Sequence, residues 1–190
     1  IKVPAPVLKQ KSDPVETVDE DIRRQLDEMV DTMYDGHGIG LAANQVAIAN
    51  RVIVMDCSQA LSGLGAEEGK GVRRLLVDYK ESNADETGRP ENAEPIMMVN
   101  PEIVWESEHR SVYEEGCLSI PGFYGDVVRP AEVRVKYIDY DGKEQELAAD
   151  GLLSHCVQHE IDHLDGVLFI DYLSKLKRDM IVRKMKKIYS

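Results

Sequence analysis

The run His159-Glu160-Ile161-Asp162-His163 carries two imidazoles and a carboxylate at a spacing that can do chemistry. An α-helix advances about 1.5 Å per residue and turns every 3.6 residues, so positions 159 and 163 stack one turn apart with Glu160 beside them. Two such imidazoles can grip a divalent cation, the cation acidifies a water, and the carboxylate carries the proton. So short a pattern also occurs on ordinary solvated helices, and its surroundings must decide. Leu152, Leu153, Cys156, Val157, Ile161 and Leu164 give the segment a broad apolar side, Asp150-Gly151 can start a helix and Gly166 can stop it. Imidazoles bordering an apolar side must be hydrogen-bonded, uncharged or metal-bound, and a pair flanking a glutamate favours metal.

A catalytic site of this type needs a third protein ligand and an open position. His155 continues the stripe through 159 and 163, yet eight residues of helix separate His155 from His163 by about 12 Å, so both cannot ligate one ion. Cys156 has a short side chain almost two turns from His163. The stronger candidate is Cys117, in the glycine-flanked run Glu115-Gly116-Cys117-Leu118-Ser119-Ile120-Pro121-Gly122 that follows an extended-looking segment over 110–114. A glycine before a ligand lets another backbone approach closely. In the absence of the histidines, Cys117 would read as a small buried hydrophobe.

A third segment, Gly38-Ile39-Gly40-Leu41-Ala42-Ala43-Asn44-Gln45, completes a set. With Glu115-Gly116-Cys117-Leu118-Ser119 and Gln158-His159-Glu160-Ile161-Asp162-His163, it closely resembles the three motifs of the peptide deformylase family, in order and spacing, and the likeness runs from about residue 4 to 173. The resemblance implies an enzyme that removes the N-formyl group from the formylmethionine of new proteins and releases formate. It implies Cys117, His159 and His163 as metal ligands and Glu160 as general base and then acid, with the Gln45 amide and the Leu118 N–H as oxyanion donors. It implies Fe²⁺ as the usual ion, whereas ligand softness alone also suits Zn²⁺, Ni²⁺ or Co²⁺. The peptide would lie extended against Ile39, Gly40 and Gly116, with a methionine pocket walled by Ile39, Glu115, Leu152, His155 and Cys156. His155 departs from the apolar residue expected there, leaving two placements open: outward at the pocket rim, or against the substrate.

Rival readings are weaker. Gly36-His37-Gly38-Ile39-Gly40 follows a helical pattern and lacks the lysine of a phosphate loop. A His-Glu-x-x-His metallopeptidase normally takes its third ligand from a downstream Glu or His, against which Cys117 speaks. A non-catalytic metal-stabilised binding module would need a closed four-ligand site and would leave Glu160 and Gln45 without a task. Asp162 reads equally as a partner behind the ligands or as a helix-surface acid.

The elements that must position these groups are legible in outline. Residues 18–34 show helical periodicity through Ile22, Leu26, Met29, Val30 and Met33, while 52–55, 96–100, 103–105, 112–114 and 133–140 read as strands. Segregated strands and helices favour a single-domain α+β fold, mainly antiparallel strands around a metal-binding helix. The connection over 57–95 is longer than the family needs. Within it, 72–79 could add a strand and 82–94 looks like a mobile polar loop; an inert surface loop is the favoured reading over a flap at the substrate.

At 190 residues and 43% hydrophobic content the chain can bury one substantial core. The catalytic likeness occupies 1–173, and 174–190 reads as a basic C-terminal helix, part of the same domain or an appendage. Its Lys175, Lys177, Arg178, Arg183, Lys184, Lys186 and Lys187 oppose only Asp179. A solvated face is the default reading, with contact to ribosomal RNA the functional alternative. A net charge of -12 argues against broad or sequence-specific nucleic-acid binding. Cys57, Cys117 and Cys156 form an odd set, and neither a secretory leader nor a membrane-length apolar run is visible, so a reducing, cytoplasmic setting is expected. Since the chain begins at Ile1, a removed leader and an organelle of bacterial descent are also consistent with it.

Overall fold

The structure is a computed structural model that describes residues 1–58, 89–90 and 93–189. The strand expected over 72–79 and most of the loop expected over 82–94 lie outside the described residues.

Helix α1 is Glu20–Asp35. Asp19 starts it by accepting from the Ile22 N–H at 3.0 Å, with Glu20 and Asp21 in the positive first turn. Strands β1 (Gly40–Ala42), β2 (Val52–Met55), β3 (Ile96–Glu106), β6 (Glu132–Ile138) and β7 (Glu144–Asp150) form an antiparallel sheet in the order β1-β2-β3-β6-β7. Strands β4 (Arg110–Gly116) and β5 (Tyr124–Pro130) make a separate antiparallel ribbon. Helix α2 is Gly151–Leu164 and helix α3 is Lys175–Tyr189. These residues bear out the α+β expectation. The two strands expected at 96–100 and 103–105 are one strand with an irregular register around Asn100, which sits at φ 52. Its side-chain amide pairs with both backbone groups of Val15, at 2.9 and 2.8 Å, and so pins the N-terminal segment to the sheet.

All four residues of β2 are buried because the sheet is covered on both faces. Ile53 and Met55 face α2 in a cluster with Leu152, Cys156, Val157 and Ile161, whereas Val52 and Val54 face α1 in a cluster with Leu26, Met29 and Val30. The period-2 alternation of the strand thus divides one run between two cores. A third cluster joins Cys117, Ile120 and Val127 to Phe169, Ile181 and Met185, so that α3 packs against the segment carrying the cysteine. No helix among the described residues is long and apolar enough to cross a membrane.

Candidate metal and catalytic centre

Cys117 follows the end of β4, while His159 and His163 lie one turn apart on α2. Their ligand atoms all fall within 4.8 Å of one another, and all three residues are buried. The Cys117 sulfur is 3.2 Å from His163 Nε2 and lies within reach of the Ser119 N–H at 3.4 Å and the Gln45 amide at 3.5 Å. Those donors suit an anionic sulfur.

Glu115 sets the chemical form of His159. Its Oε2 lies 2.8 Å from His159 Nδ1, and a carboxylate can only accept, so Nδ1 carries a hydrogen, and in the neutral ring the lone pair is on Nε2. Arg129, from β5, clamps the same carboxylate through Nε to Oε1 at 2.6 Å and Nη2 to Oε2 at 3.0 Å. Arg129 Nη1 also donates to Asp162 at 2.7 Å, and the Tyr172 hydroxyl donates to the same carboxylate at 2.8 Å. Asp162 is therefore tied to Arg129 and Tyr172 behind the Cys-His-His cluster rather than standing as a solvated surface acid. Burial alone would raise the Glu115 carboxyl, but bonds from His155, His159 and Arg129 outweigh it and hold the group well below the usual carboxylate range. Burial likewise opposes charge on His159, yet the Cys117 sulfur and the Glu115 carboxylate overcome it and raise its basicity; His163 is lowered by burial and by His159.

Glu160 has no such clamp. Burial pushes it up to about 7, and its Oε2 has no hydrogen-bond partner among the described residues. It borders a cavity of about 20 Å³ together with Ile39, Gly40, Gln45, Gly116 and Leu118, space for about one water. Gly40 leaves the room that Glu160 takes, since a Cβ would collide with its carboxylate and one of the two would have to shift. A backbone N–H of Ala42 fixes Gln45 Oε1 at 2.8 Å, so the amide nitrogen faces Cys117 and Ser119. A wider groove of about 500 Å³ opens beside Cys117 and Leu118 toward Phe123 and Tyr124.

The structure brings together Ile39, Gly40, Gln45, Gly116, Cys117, Leu118, His159 and Glu160 around this cavity, with His163 closing the ligand set. Glu115, Leu152, His155 and Cys156 do not line it. Leu152 and Cys156 are enclosed in the core with Ile39, and Glu115 and His155 bond to each other behind the Cys-His-His cluster. Glu115 and His155 thus form a polar support next to His159. Sequence reasoning passed over Arg129 and Ser119. For Arg129 the signal is faint: it shares the inward face of β5 with Gly125 and Val127, but the strand's sequence has no apolar alternation to mark that face. Ser119 offered none, since its contact with Gln45 depends on the fold alone.

The donor set fits a divalent cation. A sulfur and two imidazoles converge in a buried spot, one imidazole tautomer is fixed by a carboxylate behind it, and a further carboxylate stands free beside them. The polypeptide deformylase family matches residues 1–179. A peptide deformylase of Rhizobium meliloti is 50% identical over 187 residues, 98% of this chain and 91% of that protein. One from Brucella suis is 49% identical over 190 residues, covering 100% and 92% of the two chains. The crystal structure of peptide deformylase from Ehrlichia chaffeensis superposes with a TM-score of 0.78 at 38% identity, covering 99% and 94%, and the same enzyme in complex with actinonin gives 0.79 at 39%, covering 100% and 95%. By its motifs, its fold and these relatives the chain belongs to the polypeptide deformylase family, metal-dependent hydrolases that remove the formyl group from the N-terminal formylmethionine of nascent proteins.

Proposed function

We propose that Cys117, His159 and His163 hold the divalent cation and that Glu160 moves the proton of the deformylation reaction. The observation that supports this best is the pairing of a compact Cys-His-His cluster with an unclamped buried carboxylate at a one-water cavity. Bound there, the cation would polarise the formyl carbonyl and acidify the attacking water. Fe²⁺ is the physiological ion in this reading, by family resemblance, with Zn²⁺, Ni²⁺ or Co²⁺ able to replace it.

Each protein group then has one task. Glu160 takes a proton from the water as its oxygen bonds to the formyl carbon, and returns it to the amine nitrogen as the C–N bond breaks, giving formate and a free α-amine. The Gln45 amide and the Leu118 N–H donate to the developing oxyanion. Ile39, Gly40 and Gly116 hold the peptide backbone extended, and Leu152 and Cys156 back the methionine pocket from the core. Anaerobic formate release from a formyl-methionyl peptide, with Fe²⁺ supplied, tests the assignment. The intact protein releases formate and Glu160→Ala loses at least about 10²-fold in kcat while keeping its metal. Equal activity in the variant would remove Glu160 from the mechanism.

The enzyme's meeting with nascent chains in the cytoplasm leads to a further assignment, contact with the ribosome through α3. Lys177, Lys186 and Lys187 are exposed on that helix. Reversing these three charges should abolish salt-sensitive co-sedimentation with ribosomes; unchanged binding rejects the contact.

A further inference from the structure

His155 is fully buried, and both of its ring nitrogens are engaged by protein groups. Nε2 lies 2.8 Å from the Ser111 hydroxyl and Nδ1 3.4 Å from Glu115 Oε1. The ring packs on Tyr113 at 4.2 Å between centroids. Ser111, Tyr113 and Glu115 alternate along β4 and so share one face, which meets the stripe of His155 and His159 on α2. Neither ring nitrogen of His155 is left over for a ligand, because Ser111 and Glu115 take one each.

We infer that His155 is a positioning residue for the metal centre, holding the Glu115 carboxylate in the plane from which it fixes the His159 tautomer. Arg129 grips that carboxylate bidentately from the β5 side. On the α2 side, His159 takes Oε2 and His155 takes Oε1, so each oxygen has one donor from each side. Without His155, the helix side would hold the carboxylate by the His159 bond alone, and rotation of Glu115 would no longer be opposed there. The 3.4 Å contact is long, so the effect is smaller than that of a group bonded directly to a ligand. This inference rests on Cys117, His159 and His163 being the ligands.

The test uses Co²⁺-loaded protein, read by its visible d–d bands, its thiolate-to-cobalt band and the rate at which a chelator removes the ion. Asn places an amide nitrogen where His carries Nδ1, whereas Gln reaches instead toward the place of Nε2. Loss of a direct outer partner weakens metal binding by about 10- to 100-fold, so one bond further out His155→Leu and His155→Gln should release Co²⁺ about three- to tenfold faster, with shifted d–d bands. His155→Asn should restore the intact rate to within about twofold. In the Fe²⁺ enzyme kcat should fall with KM and the preference for formylmethionine over formylnorleucine unmoved. Unchanged release in the Leu and Gln variants overturns the inference, as does a change in KM and side-chain preference without a change in release. If His155→Leu does not fold, the contrast between Asn and Gln decides in its place: slow release in Asn with fast release in Gln supports the positioning role, and equal release in the two overturns it. An intact protein whose thiolate band survives Cys117→Ser would overturn the ligand set, and the inference with it.

Discussion

Glu160 and Glu115 are buried carboxylates of opposite character, and the difference is made by their donors. Glu115 is saturated by Arg129, His159 and His155 and stays ionised; on Glu160 burial outweighs the positive charge of His159 and pushes the group up to about 7. A general base works in its ionised form, so kcat/KM should rise with pH and level off above neutrality. A cation bound nearby favours the carboxylate, which places the acid limb of the loaded enzyme at or below about 7. A pH profile whose acid limb survives unchanged in Glu160→Gln would assign the titration to another group. The same burial has a stability consequence. A carboxyl whose value in the fold lies above its ordinary 4.5 destabilises the fold once pH exceeds 4.5, and fully so above about 7. Metal-free Glu160→Gln should therefore be more stable than the parent at pH 8, by up to about 3 kcal/mol, and no more stable at pH 4, as urea titrations at the two values would read. Glu160 could be singled out in the sequence because the helical spacing of His159 and His163 marks a pair able to hold a cation with a carboxylate beside it. The clamp on Glu115 could not be, because Arg129 reaches it from another strand.

At the scale of elements, the site depends on close approach of β1 to α2. Gly40 meets the Glu160 carboxylate with no room for a side chain, so Gly40→Ala must displace either the strand or that carboxylate. The expected outcome is a loss of about 10²-fold in kcat with the thermal midpoint little changed, since the collision falls on a carboxylate rather than on the core. The β4–β5 ribbon is held to α2 by buried Glu115 and Arg129 acting with the half-buried Asp162. Arg129→Ala leaves Glu115 charged, buried and short of donors, which costs about 3–5 kcal/mol in an equilibrium unfolding measurement. A cost under about 1 kcal/mol would mean that water replaces the guanidinium freely. Helix α1 was readable from its 3.6-residue periodicity, and β2 from its apolar run. Strands β5 and β7 were not. Tyr124–Pro130 carries Gly125 and a charged inward residue, and Glu144–Asp150 shows the burial pattern of an exposed edge, so neither has the apolar alternation that marks a strand. Their pairing partners made them strands.

At the scale of the whole molecule, the three apolar clusters reach the candidate centre from different elements: one holds Ile161 of α2, Leu118 packs against another, and the third holds Cys117. Cys117 and Ile120 belong to the same cluster as Ile181 and Met185, which are buried on the inner face of α3. The basic outer face is readable from the sequence as a solvated or docking surface; the inner face is not, because two apolar residues four apart do not reveal what they cover. Removal of 174–190 would expose Phe169 and Val127 and withdraw two buried side chains worth about 1.5–3 kcal/mol each. A chain ending at Leu173 should therefore melt well below the intact protein and lose activity even on a short formylated peptide that needs no ribosome. The exposed-lysine reversals at 177, 186 and 187 should leave both quantities where they were, because those side chains stand away from the cluster. A truncated chain that keeps its melting temperature and its peptide activity would make α3 an appendage. Loss of both would make it a structural wall of the catalytic domain that also carries charge on its outer side.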